Sequence, residues 1–241
     1  MHLSCSLLAL LSLGLAPQAT LPKGEVYVTA MITVEELFPT PEEGLSIAST
    51  REGGPNLLNL LGEFSRITGQ NLHVSEAART RLRETPIGLL QNVEVPPREV
   101  YSFIEGLLWQ SGFVMIDDRL AGPGLLAIKS TYGDERPSVD GLRNGCLTVA
   151  EQQLDAYKRH PALMIQTVIR MPSMPGGVNF GPALSSMSQH HNIWQIVVSG
   201  DTVILRGPAR QVVQMAEILR AINAQRQVPK QNKEGSETNG R

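Results

Sequence analysis

The chain has 241 residues, of which 41% are hydrophobic, 18% charged and 5% aromatic, and its formal net charge is −2. This length allows one large domain or two small ones, while the near-zero charge gives no electrostatic basis for nucleic-acid binding. The 2 Cys residues cannot build a disulfide scaffold, and no Cys/His spacing is typical of a metal site. The composition leaves an α/β or α+β protein.

The N-terminus is typical of an export signal. The segment 3–15 carries no charged residue and is shorter than the roughly 20 residues that span a bilayer. A buried helix is the alternative, but the run shows no polar face at helical spacing. We therefore predict a signal peptide over 1–19, an exported chain located in the periplasm or cell envelope, and no transmembrane segment after cleavage. Cleavage would remove Cys5 and leave Cys146, whose apolar neighbours predict burial.

Residues 20–43 are predicted to be an N-terminal extension, and 44–131 a first small domain. In the domain, Leu57, Leu61 and Phe64 recur at helical spacing between Pro55, which is predicted to open the helix, and Gly69, which is predicted to end it. The charged stretch 76–84 is predicted to be a surface excursion. The remaining predicted elements of these segments are strands over 25–31, 45–48, 71–74, 87–95, 113–116 and 125–128, and a helix from Pro97 to Gly112.

A second small domain is predicted over 160–225, after a polar linker and short helix over 132–159. Its order is strand, helix, strand, strand, helix, which places two helices on one side of a three-stranded sheet. The predicted elements are a strand over 164–171, a weak helix opening at Pro182, a hairpin of strands 193–198 and 202–205, and a helix opening at Pro208. The tail 226–241 has no apolar anchor and is predicted to be disordered. The fold class is thus α+β, with two small α/β sandwich domains.

Both predicted domains resemble the periplasmic N-domains of bacterial secretins. The segments "TGQNLHVS" and "NVEVPPREVYSFIEGLLWQSGFVMI" resemble the first N-domain, also known as the short secretin and TonB N-terminal domain. The segment "GPARQVVQMAEILRAI" resembles the last strand and helix of the KH-like, ring-building N-domain that follows it. The residues that match the first motif are Thr68, Gly69, Asn71, Val95, Pro97, Glu99, Gly112 and Phe113.

The resemblance implies a protein-interaction role. A secretin continues into further N-domains and a pore-forming domain, which do not follow here, so we do not expect this chain to form the pore. The second domain also departs from the family at Gly181 and Pro182, which interrupt its first helix. The implied partners are secretion-system or pilus envelope proteins, or further copies of the chain in a ring.

No residue is predicted to be catalytic, to bind a cofactor or to bind a metal. The adjacent His190 and His191 would point about 100° apart on a helix, so they do not form a regular metal site. His73 is predicted to be half-exposed in a strand, and His160 to lie in a loop. Three other patterns fail for lack of the required spacing: the loop 171–177 as a phosphate loop, Asp117, Asp118, Asp134 and Glu135 as a calcium site, and Ser185, Ser186 and Ser188 as hydrolase nucleophiles.

Two functional hypotheses remain. The favoured one is a non-enzymatic periplasmic interaction module of a type II secretion or type IV pilus-like apparatus, which binds partners by strand addition at an open sheet edge. The alternative is an envelope signalling or ligand-sensing protein that uses the first domain as a signalling module. Nucleic acid is not an expected partner, because residues 160–226 have no G-x-x-G loop and only a mild excess of Arg over acidic residues.

Overall fold

The chain alternates helices with short strands. The structure is a computed structural model that describes residues 33–49, 55–118, 124–132, 145–171 and 193–227. In chain order its elements are α1 (Val34–Leu37), β1 (Leu45–Ile47), α2 (Leu57–Thr68), β2 (Asn71–Val74), α3 (Glu76–Glu84), β3 (Val93–Val95), a 3₁₀ turn (Pro97–Glu99), α4 (Val100–Gln110), β4 (Phe113–Asp117), β5 (Leu125–Ser130), β6 (Leu147–Thr148), a 3₁₀ helix (Glu151–Arg159), β7 (Met164–Arg170), β8 (Gln195–Ser199), β9 (Thr202–Pro208) and α5 (Ala209–Gln227).

Three small sheets organise these elements. In the first half, β1 pairs antiparallel with β3, while β5 lies between β2, which is parallel to it, and β4, which is antiparallel. In the second half the strand order is β6-β7-β9-β8. The mixture of helices with small mixed and antiparallel sheets confirms the predicted α+β class.

Helix α2 forms where the apolar spacing predicts it, with one correction at its start. The N-cap is Asn56, whose side chain accepts a hydrogen bond from the Asn59 amide at 2.9 Å, so Pro55 lies before the cap and does not open the helix. Gly69 ends the helix in the left-handed region at φ 68°, as predicted.

Two predictions for the segment between β2 and β3 are wrong. The charged stretch 76–84 is helix α3, because Ser75 caps it and two fully buried residues one turn apart, Ala78 and Leu82, pack it onto the core. The strand predicted over 87–95 is confined to β3, since Gly88 at φ 73° does not continue an extended strand.

The second sheet has one strand more than predicted. Leu147 and Thr148, predicted to belong to the linker, form β6, which pairs parallel with β7. The short helix predicted beside them is the 3₁₀ helix over Glu151–Arg159. Strands β8 and β9 form the predicted hairpin, whose two-residue loop carries Gly200 at φ 60°. Pro208, predicted to open the last helix, is the final residue of β9.

One hydrophobic cluster contains residues of both halves, among them Phe64 and Leu108 from the first and Leu154 and Leu205 from the second. The described residues all belong to one compact unit, Thr33–Arg241, and the division into two domains around 132–159 stays a prediction. No helix in this described part is long and apolar enough to cross a membrane. The predicted signal peptide, the strand over 25–31, the loop 172–177 and the helix at Pro182 lie outside the described residues.

Candidate protein-interaction surfaces

The residues considered for chemistry do not form a catalytic or metal-binding group. His73 is half-exposed in β2, with Nδ1 4.0 Å from Oδ2 of Asp118. His190, His191, the serines at 185–188 and the acidic pair 134–135 lie outside the described residues. Among the described side chains, no three His, Cys, Asp or Glu residues are placed to hold a metal ion. Cys146 is partly buried, and this burial raises the pKa of its thiol to about 12.

A buried carboxylate connects the two halves. Glu105 lies on α4 and is fully buried, and its Oε1 is 2.7 Å from Nδ1 of His160. Its Oε2 accepts hydrogen bonds from the backbone amides of Ala162 at 3.2 Å and Leu163 at 3.1 Å. Every oxygen of this buried charge therefore has a partner in the segment that leads into β7, as a buried charge requires.

Residues 160–163 are hydrogen-bonded to strand β4 on one side and to helix α5 on the other. The Ala162 carbonyl accepts from the Met115 amide of β4 at 2.9 Å, and Met115 and Leu163 form an isolated parallel bridge. The Leu163 carbonyl accepts from the Ala209 amide, at the start of α5, at 2.8 Å. Residues 160–163 thus join the edge strand of the first half to the helix and sheet of the second.

Aromatic rings surround the imidazole of His160, which is 6% exposed and lies at the end of the 3₁₀ helix. Its ring centroid is 4.6 Å from that of Phe38, 5.7 Å from that of Tyr101 and 6.2 Å from that of Tyr157. Sequence reasoning placed His160 in a loop and missed its burial. The only local signals were the neighbouring Tyr157 and the Pro at position 161.

An open groove of about 110 Å³ lies beside this imidazole, and we call it the His160 groove. It is formed where α1, the start of α4 and the 3₁₀ helix meet. The lining residues that matter below are Glu35, Phe38, Arg98, Tyr101, Arg159 and His160. Phe38 and Tyr101 are buried, whereas Glu35 and the two arginines are exposed.

A second candidate surface is the outer edge of β8. Within the described part of the chain, β8 ends the sheet order and no strand pairs with its outer side. At the opposite edge, the two-residue strand β6 pairs with β7 at Ile165 and Gln166. Ser199 and Thr202 flank a two-residue loop and therefore close it as a hydrogen-bonded pair. Since the pairing alternates, Val197 bonds to β9, while the backbone groups of Ile196 and Val198 point outward.

The sheet face opposite α5 also carries exposed apolar surface. Val168, Ile204 and Val197 lie side by side in this face, and Val168 is 49% exposed. The row beside them is polar, because Arg206 donates hydrogen bonds at 2.9 Å to the side-chain oxygens of both Gln166 and Gln195. The open edge and open face together match the kind of surface that the sequence predicted for protein contacts.

The comparisons with known proteins assign no family. No family model and no curated protein matches the chain. A solved structure titled as the Klebsiella pneumoniae type II secretion system outer membrane complex, with PulD, PulS and the PulC HR domain, aligns with a TM-score of 0.48 and 10% identity over 73% of this chain. The chain spans only 26% of the length of that protein.

A second structure, the GspC–GspD complex from the type II secretion system of enterotoxigenic Escherichia coli, aligns with a TM-score of 0.24 and 11% identity. It covers 75% of this chain and 98% of the other. Both similarities have a TM-score below 0.5, so they identify neither a family nor a partner of this chain. What the fold and surfaces define is an α+β protein in which one sheet edge, the outer side of β8, is left unpaired by the other described strands.

Proposed function

We propose that the chain is a non-enzymatic protein-interaction module of the bacterial periplasm, and an accessory or stand-alone part of a type II secretion or type IV pilus-like apparatus. The observation that carries the proposal is the outer edge of β8, which no other described strand covers. Such an edge binds an extended partner segment through backbone hydrogen bonds, without a catalytic group or cofactor. The predicted export signal and the motifs that resemble secretin N-domains support the location and the apparatus.

The edge itself supplies the test. Val198→Pro removes one outward-facing amide, and proline is tolerated in edge strands when its nitrogen faces solvent. Val198→Thr is the matched control, because it keeps both the amide and the β-branched shape. We expect cross-linking in the native envelope, followed by mass spectrometry, to identify a secretion or pilus component with the wild-type chain and the Thr variant. The Pro variant should lose that component.

Two results would contradict the proposal. One is equal recovery of the component by the Pro and Thr variants, with both folded by circular dichroism. The other is a wild-type chain that cross-links to no envelope protein and remains a monomer by size-exclusion chromatography with light scattering. Rings of the chain itself would appear in the same light-scattering measurement as a defined multiple of the 26.3 kDa mass, or of the mass left after signal cleavage.

A further inference from the structure

We propose that the His160 groove recognises one carboxylate side chain of an acidic peptide segment in a partner protein. This inference rests on the proposed function as an interaction module, but it concerns a surface other than the β8 edge. It is carried by the size of the groove, the way His160 is held in it, and the charges on its rim.

The size of the groove selects the ligand class. Pockets for metabolites and other small molecules enclose about 300–1,000 Å³, whereas this groove measures about 110 Å³. It suits a single short side chain that enters from a larger partner.

The His160 imidazole lines the groove, and one of its two nitrogens is already engaged. The His160 side chain is 8% exposed, and its Nδ1 is engaged by Glu105 at 2.7 Å. Among the described residues, Nε2 has no hydrogen-bond partner. Because Glu105 is held in place by two backbone amides, the ring cannot turn without breaking a buried pair. The groove therefore contains a fixed polar atom that a ligand can satisfy.

The rim favours an anion. Arg98 and Arg159 are exposed, and neither forms an ion pair or hydrogen bond within the part of the chain that the structure describes. Glu35 is the one acidic residue among the described lining residues, so the exposed rim has one more positive than negative side chain, while Glu105 lies buried behind the imidazole. Guanidinium groups bind carboxylates with two parallel hydrogen bonds, which makes a carboxylate the best match for this rim.

The probe follows from the size of the groove. Phe38 and Tyr101 pack edge to face, with centroids 5.5 Å apart, and are buried against each other, so the groove has room for one short side chain. The suitable probe is a blocked pentapeptide with a central Asp between Ala residues, and its matched control is the same peptide with Asn at the centre.

The test is an NMR titration of the full chain that follows the His160 ring signals. We expect the Asp peptide to shift them saturably, and the Asn peptide, sodium acetate and inorganic phosphate to bind at least about tenfold more weakly. Arg98→Gln with Arg159→Gln should weaken the Asp peptide by about tenfold or more. Arg170→Gln, an exposed arginine on β7 outside the groove, should leave the affinity unchanged.

Equal binding of the Asp and Asn peptides would overturn the inference, as would no loss in the double Arg variant. Equal binding of acetate or phosphate would show a site for free anions and would overturn it too. If the chain still captures its envelope component through β8 while the peptide shifts no His160 signal, this inference fails and the proposed function stands. If the peptide binds at His160 but the chain captures no envelope component, this inference stands and the proposed function fails.

Discussion

Glu105 and residues 160–163 form the junction between the two halves of the chain. Replacing Glu105 with Leu is expected to be the most destabilising single change at this junction. The substitution removes the acceptor of the Ala162 amide, one of the two acceptors of the Leu163 amide, and the partner of the His160 imidazole. The Leu163 amide still donates to the His160 carbonyl at 3.2 Å. All of these groups lie in buried residues, and leaving a buried donor unsatisfied costs about 1–3 kcal/mol.

These costs do not simply add, because the variant also avoids the desolvation of a buried carboxylate and gains an apolar side chain. We expect Glu105→Leu to lower the free energy of unfolding by about 2–4 kcal/mol, out of a total of about 5–15 kcal/mol for a typical domain. Glu105→Gln keeps an oxygen that can accept from the two amides, so its loss should be smaller, about 1–2 kcal/mol.

Urea denaturation followed by circular dichroism measures these differences. Glu217→Leu is the control, because it makes the same change on α5, where the carboxylate is 51% exposed and pairs with Lys158 at 2.9 Å. Exposed pairs contribute about 0–1 kcal/mol, so the control should lose no more than that. The reasoning is refuted if Glu105→Leu costs no more than Glu217→Leu.

Three further changes test local features. Gly62→Ala in α2 should raise the free energy of unfolding by about 0.5–1 kcal/mol, since a Cβ there meets nothing within 4 Å. Gly44→Ala should lower it by about 1–3 kcal/mol, since its Cβ would lie 2.5 Å from the Val95 carbonyl oxygen. Urea denaturation would contradict this reasoning if both variants changed the free energy of unfolding in the same direction. Asn56→Ala should cost about 1 kcal/mol in that assay, and Asn56→Asp, which retains the cap, much less. In a Cys5→Ser variant, where Cys146 is the one thiol left, its rate of alkylation in the folded chain should rise about tenfold per pH unit beyond pH 9, because its pKa of about 12 keeps the thiol protonated there. A plateau near pH 9 would contradict this.

Local signals sufficed for elements with their own apolar stripe and cap. Helix α2 has four buried residues, Leu57, Leu60, Leu61 and Phe64, and a glycine in the left-handed region just past its end. The helical spacing of these apolar residues and the glycine at position 69 are both visible in the sequence. The β8–β9 hairpin was predictable for the same reason, because its loop requires a residue such as Gly200.

Helix α3 was missed because its burial is minimal. Only Ala78 and Leu82 are buried, and the charges of the surrounding residues dominate its composition. A cap at Ser75 and arginines in the last turn were the available signals, and both are typical of a helix. Strand β6 was missed because two residues are too few to show alternation, and its pairing with β7 depends on contacts distant in sequence.

The Glu105–His160 pair could not be predicted from local pattern. Glu105 follows Ile104 in α4, and both residues are buried. From sequence alone, a carboxylate in an amphipathic helix is expected on the solvent-facing side. Its partners are 55 to 58 residues away along the chain. Only tertiary packing brings them together, so the groove that depends on this pair was also beyond sequence reasoning.

The junction explains how two small halves can hold one alignment. The apolar contacts between them are non-directional and would tolerate sliding, but the carboxylate of Glu105 meets the Ala162 and Leu163 amides and the imidazole only at one position. Because Ala162 and Leu163 also bond to β4 and to the start of α5, a shift there would break pairing on both sides. We therefore expect Glu105→Gln to speed hydrogen exchange first at 162 and 163, before the central strands β5 and β9 exchange. A partner carboxylate at His160 would brace the same segment, so the probe peptide should slow exchange at those two amides while leaving the β8 edge unchanged.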